Sequence, residues 1–163
     1  MMKITVARID DRFIHGQVLT KWIKTYPAKR IIVVSEEIAN DPMRKILTLS
    51  VAPTNIKASV VTPAKMAKVF KNPKYDQTTA MLLFGKPSEV VELIENGVPI
   101  TSVNVGGMRF DQGKLHLTES VSVTTSDLQA FENLAARGVK LELRQLPSDP
   151  RHDFLKILRN SQK

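Results

Sequence analysis

Along the chain, short runs of consecutive apolar residues alternate with stretches in which apolar positions recur every three or four residues. The runs Ile4–Ile9, Arg30–Ser35, Ala58–Thr62, Ala80–Phe84, Thr101–Val105, Ser120–Val123 and Lys140–Leu146 predict strands. Helical spacing predicts helices over His15–Tyr26, Asp41–Ser50, Pro63–Phe70, Pro87–Glu95, Ser126–Arg137 and Pro150–Arg159. Strand and helix thus follow one another from end to end, the pattern of βα units. It predicts an α/β fold with a mainly parallel, doubly wound sheet and helices on both faces. Ile31-Ile32-Val33-Val34 and Met81-Leu82-Leu83-Phe84 show no polar alternation, as strands covered on both sides require, and so belong near the centre. Thr62-Pro63, and Ser126 with Gln129, mark helix starts, while Gly97 and Gly138 stand where helix C-caps belong. Only Gly106–Thr118, with Gly113 and a Leu115/Leu117 alternation, breaks the rhythm as a loop or hairpin. No repeat, low-complexity tract or linker interrupts the 163 residues, which predict one domain over 1–163.

Composition narrows the chemistry. No window reaches the ~18 apolar residues that a membrane span needs, and Met1-Met2-Lys3 leads into strand-like sequence, so a cytoplasmic protein is expected. Cysteine is absent, which excludes disulfides, thiolate metal sites and thiol nucleophiles, and histidine becomes the natural covalent candidate. Twenty-four Lys and Arg against sixteen Asp and Glu give a formal charge of +8, suited to phosphate, nucleic acid, anionic lipid or an acidic protein. The basic residues recur singly, however, and Trp22 is the only tryptophan. A nucleic-acid partner therefore lacks its usual pattern and is not expected.

In an open α/β sheet the ligand crevice lies beyond the carboxyl ends of the strands. The first such loop, Arg8-Ile9-Asp10-Asp11-Arg12-Phe13-Ile14-His15-Gly16, packs two cations, two carboxylates and an imidazole between a buried strand and a helix. Charges there must pair or bind something. A neutral His15 nitrogen can attack a phosphoryl group while Arg8 and Arg12 hold its oxygens. Asp10 or Asp11 can accept the proton of the other ring nitrogen, and Gly16 lets a phosphoryl group approach at the helix start. The structural alternative is that His15 caps the helix, with Arg8–Asp11 and Arg12–Asp10 as ion pairs.

Other candidates carry less. Gly106 and Gly107 can offer backbone donors to a phosphate or simply make a turn, and Lys86, after Phe84-Gly85, adds a cation at the same sheet edge. His116 is expected to face outward from a strand or hairpin, and His152 to sit in the first turn of the last helix. Neither stands at a metal-ligand spacing, so no metal is expected.

Ala7-Arg8-Ile9-Asp10-Asp11-Arg12-Phe13-Ile14-His15-Gly16-Gln17-Val18 resembles the active-site segment of enzyme IIB proteins of the mannose–fructose–sorbose phosphotransferase superfamily. Arg30–Ser35, Val51-Ala52-Pro53, Asn72-Pro73-Lys74-Tyr75, Val103–Met108 and Arg137–Arg144 are similar as well, so the resemblance covers nearly the whole chain. It implies a seven-stranded, mainly parallel sheet and transient phosphorylation of His15 at Nδ1, with Arg8, Arg12 and Asp10 matching family residues beside it. It further implies enzyme IIA as phosphoryl donor and a hexose on the membrane subunits IIC and IID as acceptor, with no cofactor and a peripheral place at the membrane. Arg12-Phe13-Ile14-His15 and Leu143–Asp149 are most similar to the fructose, levan-linked type. The chain departs from the family at Gly85-Lys86-Pro87, where an asparagine usually precedes the proline. A monomer and a homodimer both remain open. The competing reading is a flavodoxin-like regulatory module that senses an anion at this loop without covalent turnover.

Overall fold

The structure, a computed structural model, describes residues 1–162 and, within them, every side chain except those of Gln17 and Val18; Lys163, the last residue of the expected span, lies outside them. The strands are Lys3–Asp10 (β1), Arg30–Val34 (β2), Lys57–Val61 (β3), Thr79–Phe84 (β4), Ser102–Gly107 (β5), Leu115–His116 (β6), Ser122–Val123 (β7), Lys140–Leu143 (β8) and His152–Asp153 (β9). The helices are Gly16–Thr25 (α1), Glu36–Ala39 (α2), Pro42–Ser50 (α3), Pro63–Lys71 (α4), Pro87–Glu95 (α5), Thr125–Ala136 (α6) and Phe154–Asn160 (α7).

One sheet has the order β3-β2-β4-β1-β5-β8-β9, parallel throughout except at β8–β9. The doubly wound, mainly parallel seven-stranded sheet is therefore present. Its continuous apolar strands divide residue by residue between two cores, because successive side chains leave a strand on opposite faces. Ile32, Val34, Leu82 and Phe84 join one core with Phe131 of α6 and Phe154 of α7. Ile31, Val33, Met81 and Leu83 join the other with Leu19 and Trp22 of α1. From β1 the chain winds outward to β2 and β3, then returns through β4 and passes to β5 on the other side. The reversal puts the carboxyl ends of β4, β1 and β5 together at the crevice.

Three expectations need correction. Ser120–Val123 is not a strand of the main sheet: β7 pairs with β6 in a separate antiparallel hairpin, joined to the end of β5 by Met108, whose N–H donates to the Ser120 carbonyl at 2.9 Å. Its two buried valines around a serine imitate a core strand over too short a length. The seventh strand is β9, so His152 lies in a strand rather than a first helical turn. The last helix begins at Phe154, where the Asp153 side chain accepts from the Lys156 N–H. The N-cap of α6 lies two residues earlier than the sequence suggests, at Thr124 rather than Ser126. Thr124 Oγ1 accepts from Asp127 N and Asp127 Oδ2 accepts from Thr124 N, each at 3.0 Å, a reciprocal cap that leaves Ser126 inside the helix. Gly97 and Gly138 do close their helices in left-handed geometry, with φ of 91° and 81°.

The cap correction is testable. Thr124→Ala should lower unfolding stability by about 1 kcal/mol, whereas Ser126→Ala should stay within about 0.5 kcal/mol of the parent, both measured by urea denaturation. Equal effects would return the cap to Ser126.

Candidate functional site

Strand alternation puts Arg8 and Asp10 on the face of β1 that looks toward α1. Arg8 pairs in register with Asn104 of β5, and its side chain is 1% exposed. Its Nη1 donates to the Asn104 side-chain oxygen and, at 2.9 Å, to the Arg144 carbonyl. Its Nη2 donates to Gln145 O at 3.1 Å and Asp10 Oδ2 at 3.2 Å, and the guanidinium carbon lies 4.7 Å from the centre of the Trp22 ring. Burial lowers the Arg8 pKa from its usual value, opposed by the charge of Asp10. The guanidinium fills the space that a Cβ on Gly106 would take, and the β1–β5 register shifts there by one residue.

Asp10, also 1% exposed, collects the donors of the loop. Oδ1 accepts from Arg12 N at 3.1 Å and Arg12 Nε at 2.9 Å. Oδ2 accepts from Arg12 Nη2 at 2.9 Å and lies 3.0 Å from His15 Nε2. Burial works to raise this carboxyl, but hydrogen bonds with His15 and Arg12 and the charge of Arg8 outweigh it and hold it well below the usual carboxylate range. An ionised Asp10 can only accept, so His15 Nε2 carries a proton, and in the neutral ring the lone pair is on Nδ1. The ring is 23% exposed, and among the described residues Nδ1 has no hydrogen-bond partner.

The backbone makes this possible by doubling back. Phe13 adopts φ 57° and Gly16 φ 34°, and Phe13 N donates to Asp10 O at 2.9 Å. His15 is the N-cap residue of α1, yet its side chain does not cap the helix and no acid stands in the first turn. Those N–H groups remain available to an anion.

The sequence candidates separate clearly. Asp10, not Asp11, reaches the imidazole; Asp11 Oδ2 instead accepts from Arg109 N at 2.9 Å. Arg12 is 49% exposed, and its Nη1 has no partner among the described residues. Arg8, expected to touch phosphoryl oxygens, has its guanidinium buried, with Nη1 and Nη2 both donating to groups within the protein. Gly106 and Gly107 are buried in β5, where a Cβ on Gly106 would overlap the Arg8 guanidinium and one on Gly107 would stand 3.2 Å from Arg12 Nη2. Around Gly16 the space where a Cβ would stand is open. Lys86 lines a neighbouring open cavity of about 710 Å3 with Asp11, Phe13, Glu89 and Arg109, and forms no ion pair with the Asp10 cluster. Glu89, buried on that cavity, is pushed up to about 7 by burial, against hydrogen bonds from Gly85 and Lys86. His116 is exposed on β6, 3.2 Å from Ser122 Oγ, and His152 is exposed on β9. Among the described residues no group of three or more His, Asp or Glu could hold a metal, and no helix is long and apolar enough to cross a membrane.

The sequence reading missed Asn104, Arg144 and Trp22. Asn104 had a signal, a polar residue in the middle of an apolar run at the centre of the sheet.

Fold and site define an α/β protein organised around an accessible histidine that a buried carboxylate orients. Residues 4–163 match the family profile described as PTS system sorbose subfamily IIB component. The chain is 64% identical over 160 residues to the fructose-specific EIIB component of Bacillus subtilis (strain 168), covering 98% of each. It is 51% identical over 157 residues to the mannose-specific EIIAB component of Escherichia coli (strain K12), covering 96% of this chain and 49% of that one. A solved structure described as a phosphoenolpyruvate-dependent phosphotransferase system superposes with a TM-score of 0.96 at 64% identity, covering 98% of this chain and 99% of the other. The chain belongs to the sorbose-subfamily IIB components of the sugar phosphotransferase system, a family of sugar phosphotransferases.

The electrostatics of Asp10 set an acid limit. A carboxyl held below its unfolded pKa of about 3.9 contributes stability fully above that value and loses it as pH falls toward the folded one. Unfolding free energy should therefore drop more steeply below about pH 4 in the parent than in Asp10→Asn, as measured by urea denaturation across the acid range. Parallel curves would contradict the assignment.

Proposed function

We propose that the protein relays a phosphoryl group through His15 Nδ1, from a phosphohistidine of enzyme IIA to a hexose presented by the membrane subunits IIC and IID. The observation that carries this reading is the Nε2–Asp10 hydrogen bond on a partly exposed ring, which leaves Nδ1 as the nucleophile. In the first transfer the Nδ1 lone pair forms the new N–P bond as the donor's N–P bond breaks and its electrons return to the donor imidazole. The His15 ring, now carrying both Nε2–H and the phosphoryl group, gains positive charge, which the Asp10 carboxylate offsets. In the second transfer a hexose hydroxyl oxygen attacks phosphorus, the Nδ1–P bond breaks, and the hydroxyl proton leaves to a base on the acceptor side. The transfer so written uses neither metal nor nucleotide.

In this reading Arg12 holds the equatorial oxygens through Nη1, a role supported by its exposure and by the open space at Gly16, with the first-turn N–H groups of α1 as further donors. Arg8 acts one layer deeper, as the fixed counter-charge that keeps Asp10 ionised. The sugar is taken to be of the fructose type, after the 64% identical relative, and the chain to work at the membrane face of its transporter. The mannose-specific relative, named as an EIIAB component, joins IIA and IIB in one chain, which supports IIA as donor.

Incubation with phosphoenolpyruvate, the general phosphocarriers and enzyme IIA should give an acid-labile, alkali-stable adduct on His15, absent in His15→Ala. Failure to take up label from a competent donor would favour the anion-sensing alternative. Arg12→Ala should slow transfer by about 10²-fold while circular dichroism shows a folded protein. Transfer at the parent rate would remove the arginine from the mechanism.

A further inference from the structure

The loop that carries His15 leans on a second element that the transfer chemistry does not use. Phe13 holds a left-handed backbone, φ 57°, which is unfavourable for a non-glycine residue and persists only where surrounding contacts enforce it. Its ring provides the contact. A Cβ built on Gly85 would stand 2.8 Å from Phe13 Cζ and 3.4 Å from Phe13 Cε1, so the ring occupies the place of a side chain at the end of β4. Gly85 is not among the positive-φ residues, so this position uses its missing side chain rather than its backbone freedom. The seat is itself fixed: Glu89 is 4% exposed and its Oε1 accepts from Gly85 N at 3.0 Å and Lys86 N at 3.1 Å. From Phe13 to the imidazole is two residues, and the Phe13 N–H closes the turn back onto Asp10.

We propose that Phe13, seated on Gly85 in the turn that Glu89 holds, is a positioning residue for His15, keeping its loop in the register that places Nε2 on Asp10. The functional half of this proposal rests on the phosphoryl relay; the structural half does not. An extra methyl at Gly85 lifts the ring and tilts the loop, and a smaller residue at position 13 relieves the overlap.

The test compares Gly85→Ala, Phe13→Leu and the double variant in the full chain. Phosphoryl transfer from phosphorylated enzyme IIA is measured at varied donor concentration, and the Nε2–H resonance of His15 is followed by 15N NMR. Gly85→Ala should lower kcat by about 10-fold or more with little change in KM and should weaken the Nε2–H signal. Phe13→Leu, which leaves the seat part-empty, should weaken the Nε2–H signal as well, and the double variant, whose added methyl meets the smaller side chain, should recover at least half of both losses. Parent-like behaviour of Gly85→Ala, or a double variant no better than Gly85→Ala alone, overturns the proposal. Should Gly85→Ala not fold, Glu89→Ala takes its place: loss of the Nε2–H signal with recovery in Glu89→Gln, whose amide oxygen still accepts both bonds, supports it, and an unaltered signal in Glu89→Ala overturns it. If the parent protein takes up no phosphate, the relay fails while the NMR comparison still decides the positioning.

Discussion

An ionised carboxylate at the end of the central strand, almost wholly removed from water, is the constraint around which this molecule is arranged. Asp10 is stable there only because Arg8, Arg12 and His15 converge on it, and stripping a buried charge of its partners typically costs about 3–5 kcal/mol. Each donor brings demands of its own. Arg8 needs acceptors, which Asn104 and the Arg144 and Gln145 carbonyls supply, and it needs volume, which Gly106 vacates. Arg12 lies against Gly107, where a Cβ would stand 3.2 Å from its Nη2. His15 needs a chain that doubles back within five residues, which left-handed backbone at Phe13 allows.

The topology explains why the cluster lies where it does. β1 sits between β4 and β5, so the carboxyl end of one strand is flanked by two others, and α1 begins directly above it. The apolar strands on either side hold that end rigid through two separate cores. Charge buried in the sheet and charge at the rim thus form one hydrogen-bonded group, with its outermost members, His15 and Arg12, in reach of a partner.

Much of this was legible in the residues. Runs such as Ile31–Val34 announced strands covered on two sides, and the histidine, the arginines and the acids were found together in the first loop. Spacing could not tell Asp10 from Asp11, because their difference lies in where the strand ends: Asp10 still points inward and Asp11 does not. The alternation of Val6, Arg8 and Asp10 on one strand face carried the hint that Arg8 is buried, but an arginine beside a histidine suggests a phosphate ligand more readily than a counter-charge. Ser126 with Gln129 satisfied the same capping pattern that Thr124 and Asp127 fulfil, and the choice between them depended on where β7 releases the chain. The pairing of β9 with β8 was not legible at all, since two residues give no period to read.

Trp22 gives the buried network an optical outlet. The single indole of the sequence donates its Nε1–H to the Gln145 carbonyl at 2.8 Å, the same oxygen that Arg8 engages, and lies close under the guanidiniums of Arg8 and Arg144. Because an excited indole responds to nearby cations, its emission should shift with any change in the charge balance around Asp10, without any added dye. The chain thus carries one intrinsic fluorophore against the two buried arginines that lie beneath its rim.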